Sequence, residues 1–294
     1  MIESLGRLRQ VHHLNCGTFR PWPGALLATH VLACEFEHGL ILIDTSLGTA
    51  DIAQPGKRLG GAIRPLRPSL RDCETVLSQL TQLGKWSSSD VAGVVATHLD
   101  YDHIGGASDF PGALVYTTRA ELEVAVSRSS QKQRIRYRPK HIAEISTRVV
   151  VAAAPDSDVL GLAATQVDAE GWLYMVPLHG HTTGHSAVAV RDPGRGWLIH
   201  AGDAFMHRAA IGLDSPSIQS RVTGVAERLL ATDTQAVESN HKILSALAAD
   251  PAVRVFCSHD QKQFDILHAE SCVGQRSPMA HNVRRGVVQP RGQA

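Results

Sequence analysis

The sequence predicts an α/β protein in which sheets and helices form packed layers. Three observations carry this. Short continuous apolar runs, such as Leu40-Ile41-Leu42-Ile43, Val91 to Ala96 and Val253 to Cys257, read as buried strands. Strands come first and helices after, twice along the chain. Residues able to bind a metal stand directly after several of these strands, where rigid elements aim short loops at one place.

Composition narrows the classes. With 294 residues, 43% hydrophobic and 19% charged, the chain can bury a sizeable core. A net charge of +1 gives no push toward nucleic acid or an acidic membrane surface, so a small-molecule substrate is expected. Sixteen histidines agree with a metal protein. The five cysteines are scattered and form no C-x-x-C, so neither a disulfide framework nor a thiolate zinc site is expected. Met1 to Gln10 lacks a signal-peptide core, and no run of about 18 apolar residues occurs. A reducing cytoplasm is the simplest expected compartment.

Taken in order, Val11 to Gly17 reads as a first strand, and Pro21 to Gly24 as a turn. Leu26 to Phe36 and Gly39 to Asp44 form a hairpin around His38-Gly39. Thr49 to Ser69, rich in Gly, Pro and Arg, reads as an irregular loop. A helix is expected from Asp72 to Leu83, capped by Asp72 and ended by Gly84, with Val76, Leu77, Leu80 and Leu83 on its apolar face. After the strand Val91 to Ala96 come a strand at Ala113 to Tyr116 and a helix at Arg119 to Val126. The basic run Arg128 to Arg148 reads either as a solvated face or as a lid over a site. Trp172 to Leu178, Ser186 to Arg191 and Trp197 to His200 are strands. Ser217 to Leu230 and Thr234 to Leu247 are helices, the second capped by Asp233, and Val253 to Cys257 is a final strand. The expected organisation is one domain, 1–275, with a basic insertion at about 128–148. A loose tail follows over 276–294, its polar, basic composition beginning at Ser271.

The chemistry concentrates in Thr97-His98-Leu99-Asp100-Tyr101-Asp102-His103-Ile104-Gly105-Gly106. Four candidate ligands fall within six positions, and paired glycines allow close backbone approach. His181, Asp203 and His259 follow downstream, each at the end of an expected strand. Imidazoles and carboxylates together suit a divalent cation such as zinc, iron or manganese. His185 is left outside the candidate ligand set, since a lone histidine is more often a hydrogen-bonded structural residue.

Five segments together resemble the metallo-β-lactamase-fold hydrolases: Ile41-Leu-Ile-Asp44-Thr, His98-x-Asp100-x-Asp102-His103, Gly180-His181-Thr-Thr-Gly-His185, Gly202-Asp203 and Ser258-His259. The resemblance covers roughly Val11 to His268, and the terminal Ser-His-Asp is most like the lactonase branch. It implies a four-layer αββα sandwich. It implies two divalent metal ions, zinc first, with iron or manganese as alternatives. His98, Asp100 and His181 would hold one, and Asp102, His103 and His259 the other. Asp203 would bridge them beside a hydroxide nucleophile, making Asp102 and Asp203 the catalytic carboxylates. Asp44 would orient the metal loop, or be a plain strand-end turn aspartate; both readings stay open. Homodimers are common among such relatives.

Two departures matter. Asp100 replaces the second histidine of the motif, which makes the site less positive and favours harder metals. Met206 stands where some lactonases have a tyrosine three residues after the bridging aspartate. The expected function is metal-dependent opening of a lactone or cleavage of an ester. A di-iron oxidoreductase is the alternative that Asp100 favours. A metal-free binding protein and an RNA nuclease are weaker readings.

Overall fold

The computed structural model describes residues 1–22 and 24–274. The first sheet begins with antiparallel strands β1 (Leu8–Asn15), β2 (His30–Phe36) and β3 (Gly39–Ile43). Strands β4 (Val91–Val95), β5 (Leu114–Thr117) and β6 (Val149–Val151) extend it in parallel. The second sheet runs antiparallel through β7 (Ser157–Val159), β8 (Leu162–Gln166), β9 (Leu173–Pro177), β10 (Ser186–Asp192) and β11 (Gly196–His200). Strand β12 (Val253–Phe256) closes it, parallel to β11.

Helices cover both outer faces. The first half carries α1 (Thr49–Ala53), α2 (Pro55–Arg58), α3 (Val76–Gln82), α4 (Tyr101–Ile104), α5 (Arg119–Ser127), α6 (Gln131–Arg136) and α7 (Pro139–Ile145). The second carries α8 (Ile218–Leu230), α9 (Thr234–Ala248) and α10 (Gln261–Gly274). None of the described helices is long and apolar enough to cross a membrane. All five cysteines are free.

The period of two along each strand explains the layering. Leu32, Cys34, Ile41 and Ile43 face inward and meet Met175, Val188, Val190 and Leu198 of the other sheet. Their neighbours Val31, Ala33, Leu40 and Leu42 face outward, onto Val76 and Leu80 of α3 and Ile145 of α7. Ala187 and Ala189 likewise face out, toward Leu244 of α9. Because both faces are covered, these strands read as unbroken apolar runs. Each such Leu, Ile or Val contributes about 1.5–3 kcal/mol on leaving water. This is the αββα sandwich.

Several local expectations give way. The stretch 49–69 contains α1, α2 and a 3-10 turn at Gly61–Leu66. Pro55 opens α2 at its first turn, where a missing N–H costs nothing. The helix expected from Asp72 begins only at Val76. Asp72–Glu74 is a separate 3-10 turn, and the Thr75 hydroxyl caps α3 by accepting from Ser78 N at 3.2 Å. Gly84 ends that segment at φ +73°, as expected. Strands β6, β7 and β8 are not among the expected strands: β6 is a run of only three valines, and β7 and β8 are polar or alanine-containing, so pairing with neighbours makes them strands. Ser271 to Gly274 continue α10, which packs on β1 through Leu267. The remaining tail, 275–294, lies outside the described residues.

The basic stretch 128–148 is two helices pinned to the body. Ser130 caps α6, and Pro139 opens α7. His141 Nε2 meets Asp51 Oδ1 at 2.7 Å. Arg58 donates to both oxygens of Glu144, at 2.5 and 2.7 Å, and to Asp51 at 2.6 Å. Tyr137 is buried, its hydroxyl donating to Glu121 at 3.0 Å. Lys132, Arg136, Arg138 and Arg148 donate to backbone carbonyls of the body, while Arg134 and Lys140 stay exposed.

Candidate metal centre

Strand ends from both halves deliver the candidate residues. The turn after β4 carries His98, Asp100, Asp102 and His103. The turn between β9 and β10 carries His181. Asp203 follows β11, and His259 follows β12. Gly105 and Gly106 are required where this turn crosses the loop after β3. A Cβ on Gly106 would stand 2.5 Å from Thr45 O, and one on Gly105 would collide with Asp51 Oδ2. Gly202 sits at φ +54°, and its missing side chain makes room for His185 Nε2.

All seven residues come together. The donor atoms of His98, His181 and Asp203 lie within 4.8 Å of one another, as do those of Asp102, His103 and His259. Asp203 lies between the groups. Its Oδ2 is 3.4 Å from His181 Nε2, and its Oδ1 is 3.3 Å from His259 Nε2 and 3.5 Å from His103 Nε2. Asp100 belongs on the first side, its Oδ2 3.3 Å from His98 Nε2 and 3.5 Å from His181 Nε2.

Hydrogen bonds behind the rings set the tautomers. His259 Nδ1 donates to Ala28 O at 2.8 Å, and His103 Nδ1 to Asp44 Oδ2 at 2.8 Å. The Thr97 hydroxyl donates to Asp44 at 2.8 Å, so it must accept from His98 Nδ1 at 3.0 Å. In its neutral form each of these three rings therefore turns the Nε2 lone pair inward. Asp44, at φ +59°, also accepts from Thr97 N at 2.8 Å, which makes it the orienting residue rather than an idle turn aspartate.

His185 is different. Its Nδ1 donates to Leu178 O at 3.0 Å, and its Nε2 accepts from Asp203 N at 3.0 Å. Both nitrogens are committed, so it orients the Asp203 loop and offers no donor atom.

The residues fit a pair of divalent cations. His98 Nε2, His103 Nε2, His181 Nε2, Asp100 Oδ1 and Asp203 Oδ1 are buried and have no hydrogen-bond partner. Buried polar atoms are ordinarily paired. Several such atoms aimed at one point, all imidazole or carboxylate, match the donor chemistry of zinc, iron or manganese.

The charges are strongly coupled. Burial pushes the Asp100 carboxyl up to about 6 against the pull of Arg136, and burial also raises Asp102. Burial opposes the Asp203 charge too, yet His259, His103 and His181 around it hold its carboxyl well below the usual range. Burial and then Arg136 bring His181 down to about 3.

Glu121 is a part of the site the sequence did not announce. This buried carboxylate accepts from Leu99 N at 3.0 Å and Tyr137 Oη at 3.0 Å on one oxygen. On the other it accepts from Thr182 Oγ1 at 2.6 Å and Gly184 N at 3.1 Å. It thus fastens the two ligand-bearing turns to each other. Its signal was Thr118-x-x-Glu121, which reads as an ordinary capping box. Thr118 does cap α5, but Glu121 points elsewhere.

Above the centre lies a cavity of about 380 Å³. Its walls are mostly apolar, with Phe19, Leu27, Leu66, Ile135, Met206 and Leu230 among them. Lys132 and Arg136 of the insertion join them, so α6 forms one wall. Tyr101 lines the cavity while packing against Phe19, Leu47 and Leu59.

A family model described as the metallo-beta-lactamase superfamily matches residues 31–259. The chain belongs to the metallo-beta-lactamase superfamily. A "probable metallo-hydrolase" of Mycobacterium tuberculosis is 39% identical over 269 residues, 90% of this chain and 84% of the relative. At the level of class, this superfamily member is a metallo-hydrolase. Among solved structures, an N-acyl homoserine lactone hydrolase with product bound at its catalytic metal centre superposes with a TM-score of 0.64. That pair shares 18% identity and covers 88% of this chain and 96% of the other. A dizinc quorum-quenching lactonase superposes at 0.52, with 17% identity over 81% and 74% of the two chains. At such identities the shared feature is the superfamily fold. None of these three is described as an oxidoreductase, so the di-iron alternative draws no support from them.

Proposed function

We propose that the chain is a metal-dependent hydrolase that opens a lactone or cleaves an ester of a small, largely apolar acyl substrate. One observation carries this: two three-residue donor groups, joined by Asp203, sit at the floor of an apolar cavity. His98, Asp100 and His181 would hold one cation, Asp102, His103 and His259 the other, and Asp203 both. Cations there, zinc by analogy with the dizinc lactonase, supply Lewis acidity and lower the pKa of a water toward neutrality.

The protein's own groups do the rest. Asp44, Thr97 and Ala28 O fix three imidazoles in one tautomer. His185 holds the Asp203 backbone, so the bridging carboxylate keeps its place. The apolar walls take the acyl part of the substrate and exclude bulk water, which strengthens every charge interaction on the floor. Met206 offers no hydroxyl where some lactonases place a tyrosine, so carbonyl orientation falls to other donors at the cavity. A cytoplasmic setting and a homodimer complete the proposal.

The test is elemental analysis of the purified protein beside hydrolysis assays on lactones and esters of graded acyl length. Two equivalents of metal with turnover of either class support the reading. A metal-free protein that retains activity, or a metal-loaded one inert on the whole panel, would sink it.

A further inference from the structure

Asp100 departs from the family motif, and the fold answers that change from a distant segment. Arg136, at the end of α6, is 6% exposed, and its Nε lies 3.3 Å from Asp100 Oδ2. Its Nη1 donates to His181 O at 2.9 Å, and its Nη2 to Leu230 O at 3.1 Å. The rigid fork therefore touches the Asp100 turn, the His181 turn and the last turn of α8. A guanidinium suits this role because its donors are planar and fixed in direction.

Neither group makes sense alone. A buried carboxylate without a cation is costly, and so is a buried guanidinium without a counter-charge. Together they sum to zero formal charge, as one neutral imidazole would. The insertion that delivers Arg136 is itself bolted down, through His141 to Asp51, Glu144 to Arg58 and Tyr137 to Glu121.

We propose that Arg136 is a positioning residue for the first metal position: it neutralises Asp100, holds its Oδ2 between His98 and His181, and makes metal retention depend on docking of the 128–148 insertion. This rests on the metallo-hydrolase reading above. Its consequence is that Asp100 and Arg136 act as one exchangeable unit, replaceable by a single histidine.

Four proteins decide it: wild type, Arg136→Gln, Asp100→His and the double variant. Zinc is the probe. Zinc per chain comes from elemental analysis, affinity from competition with a chromophoric chelator, and folding from a thermal melt. The wild type should hold two equivalents. Arg136→Gln should bind one of them roughly 10–100-fold more weakly, the range for a supporting residue. Asp100→His should weaken the same equivalent, because its imidazole faces an uncompensated guanidinium. The double variant should recover wild-type affinity within a few-fold, which a merely structural arginine would not allow.

Wild-type affinity for both equivalents in Arg136→Gln, with only KM raised, would assign Arg136 to the substrate and overturn the proposal. So would a double variant as weak as Arg136→Gln. If Arg136→Gln does not fold, the double variant decides: folded with two zinc supports the pairing, and unfolded overturns it. A wild type that takes up no zinc, iron or manganese defeats the metallo-hydrolase reading itself, and the proposal falls with it.

Discussion

The Asp44 carboxylate accepts the His103 Nδ1 proton at 2.8 Å while it also receives the Thr97 N–H and hydroxyl at 2.8 Å each. One residue at the end of β3 thus sets the direction of two imidazoles. Asp44→Asn replaces one acceptor oxygen with a donor, which must then face another donor. Metal affinity should fall about 10–100-fold, with the fold retained. Chelator competition and circular dichroism check this; unchanged affinity would make Asp44 a turn residue only.

Asp203 and His185 should behave differently although they touch. Asp203→Ala removes the carboxylate shared by both donor groups. Turnover should drop by more than about 100-fold, beyond the range of a supporting residue. His103→Ala should do the same. His185→Ala removes only the acceptor for Asp203 N, so partial activity should remain. Steady-state rates on any hydrolysed substrate decide it, and full activity in Asp203→Ala would end the bridged arrangement.

Glu121 makes a stability prediction. Its two oxygens accept four hydrogen bonds, so Glu121→Gln must turn an NH2 against at least one donor. The expected loss is about 1–3 kcal/mol, the cost of leaving a buried donor unpaired. A urea titration measures it. An unchanged midpoint would show that the two turns do not depend on this clasp.

Asp51 makes a pH prediction. Burial works against its charge, but His141, Arg58 and the Gly48 N–H together hold its folded pKa below the ordinary value. A carboxyl depressed on folding stabilises the protein above its unfolded pKa of about 3.9 and loses that contribution as pH falls through the folded value. The gap in unfolding midpoint between wild type and Asp51→Asn should therefore shrink as pH falls below about 4. A gap that does not change with pH would remove Asp51 as a source of acid sensitivity.

Much of this protein was legible in its sequence because the informative residues are local. The unbroken apolar runs of β3, β4 and β12 fixed the buried strands, and the ligand-type residues after them marked the strand ends. All seven expected site residues meet at one place for that reason. What escaped depends on distant partners. Glu121 resembled a helix cap, and its clasp on Leu99 and Gly184 has no local trace. Arg136 read as one charge in a basic run open to either a solvated face or a lid, since only the folded chain brings it against Asp100. The short strands β7 and β8 carry no pattern of their own and exist through their neighbours.

Each donor group draws on both halves of the sandwich: His98 joins His181 and Asp203, while Asp102 and His103 join His259. Neither half alone could present a complete set. Occupancy of the centre therefore reports on the whole molecule, since a cation can be gripped only after the two sheets have met. Bound metal should therefore add to global stability, the ion tying together two halves already packed through their inner faces.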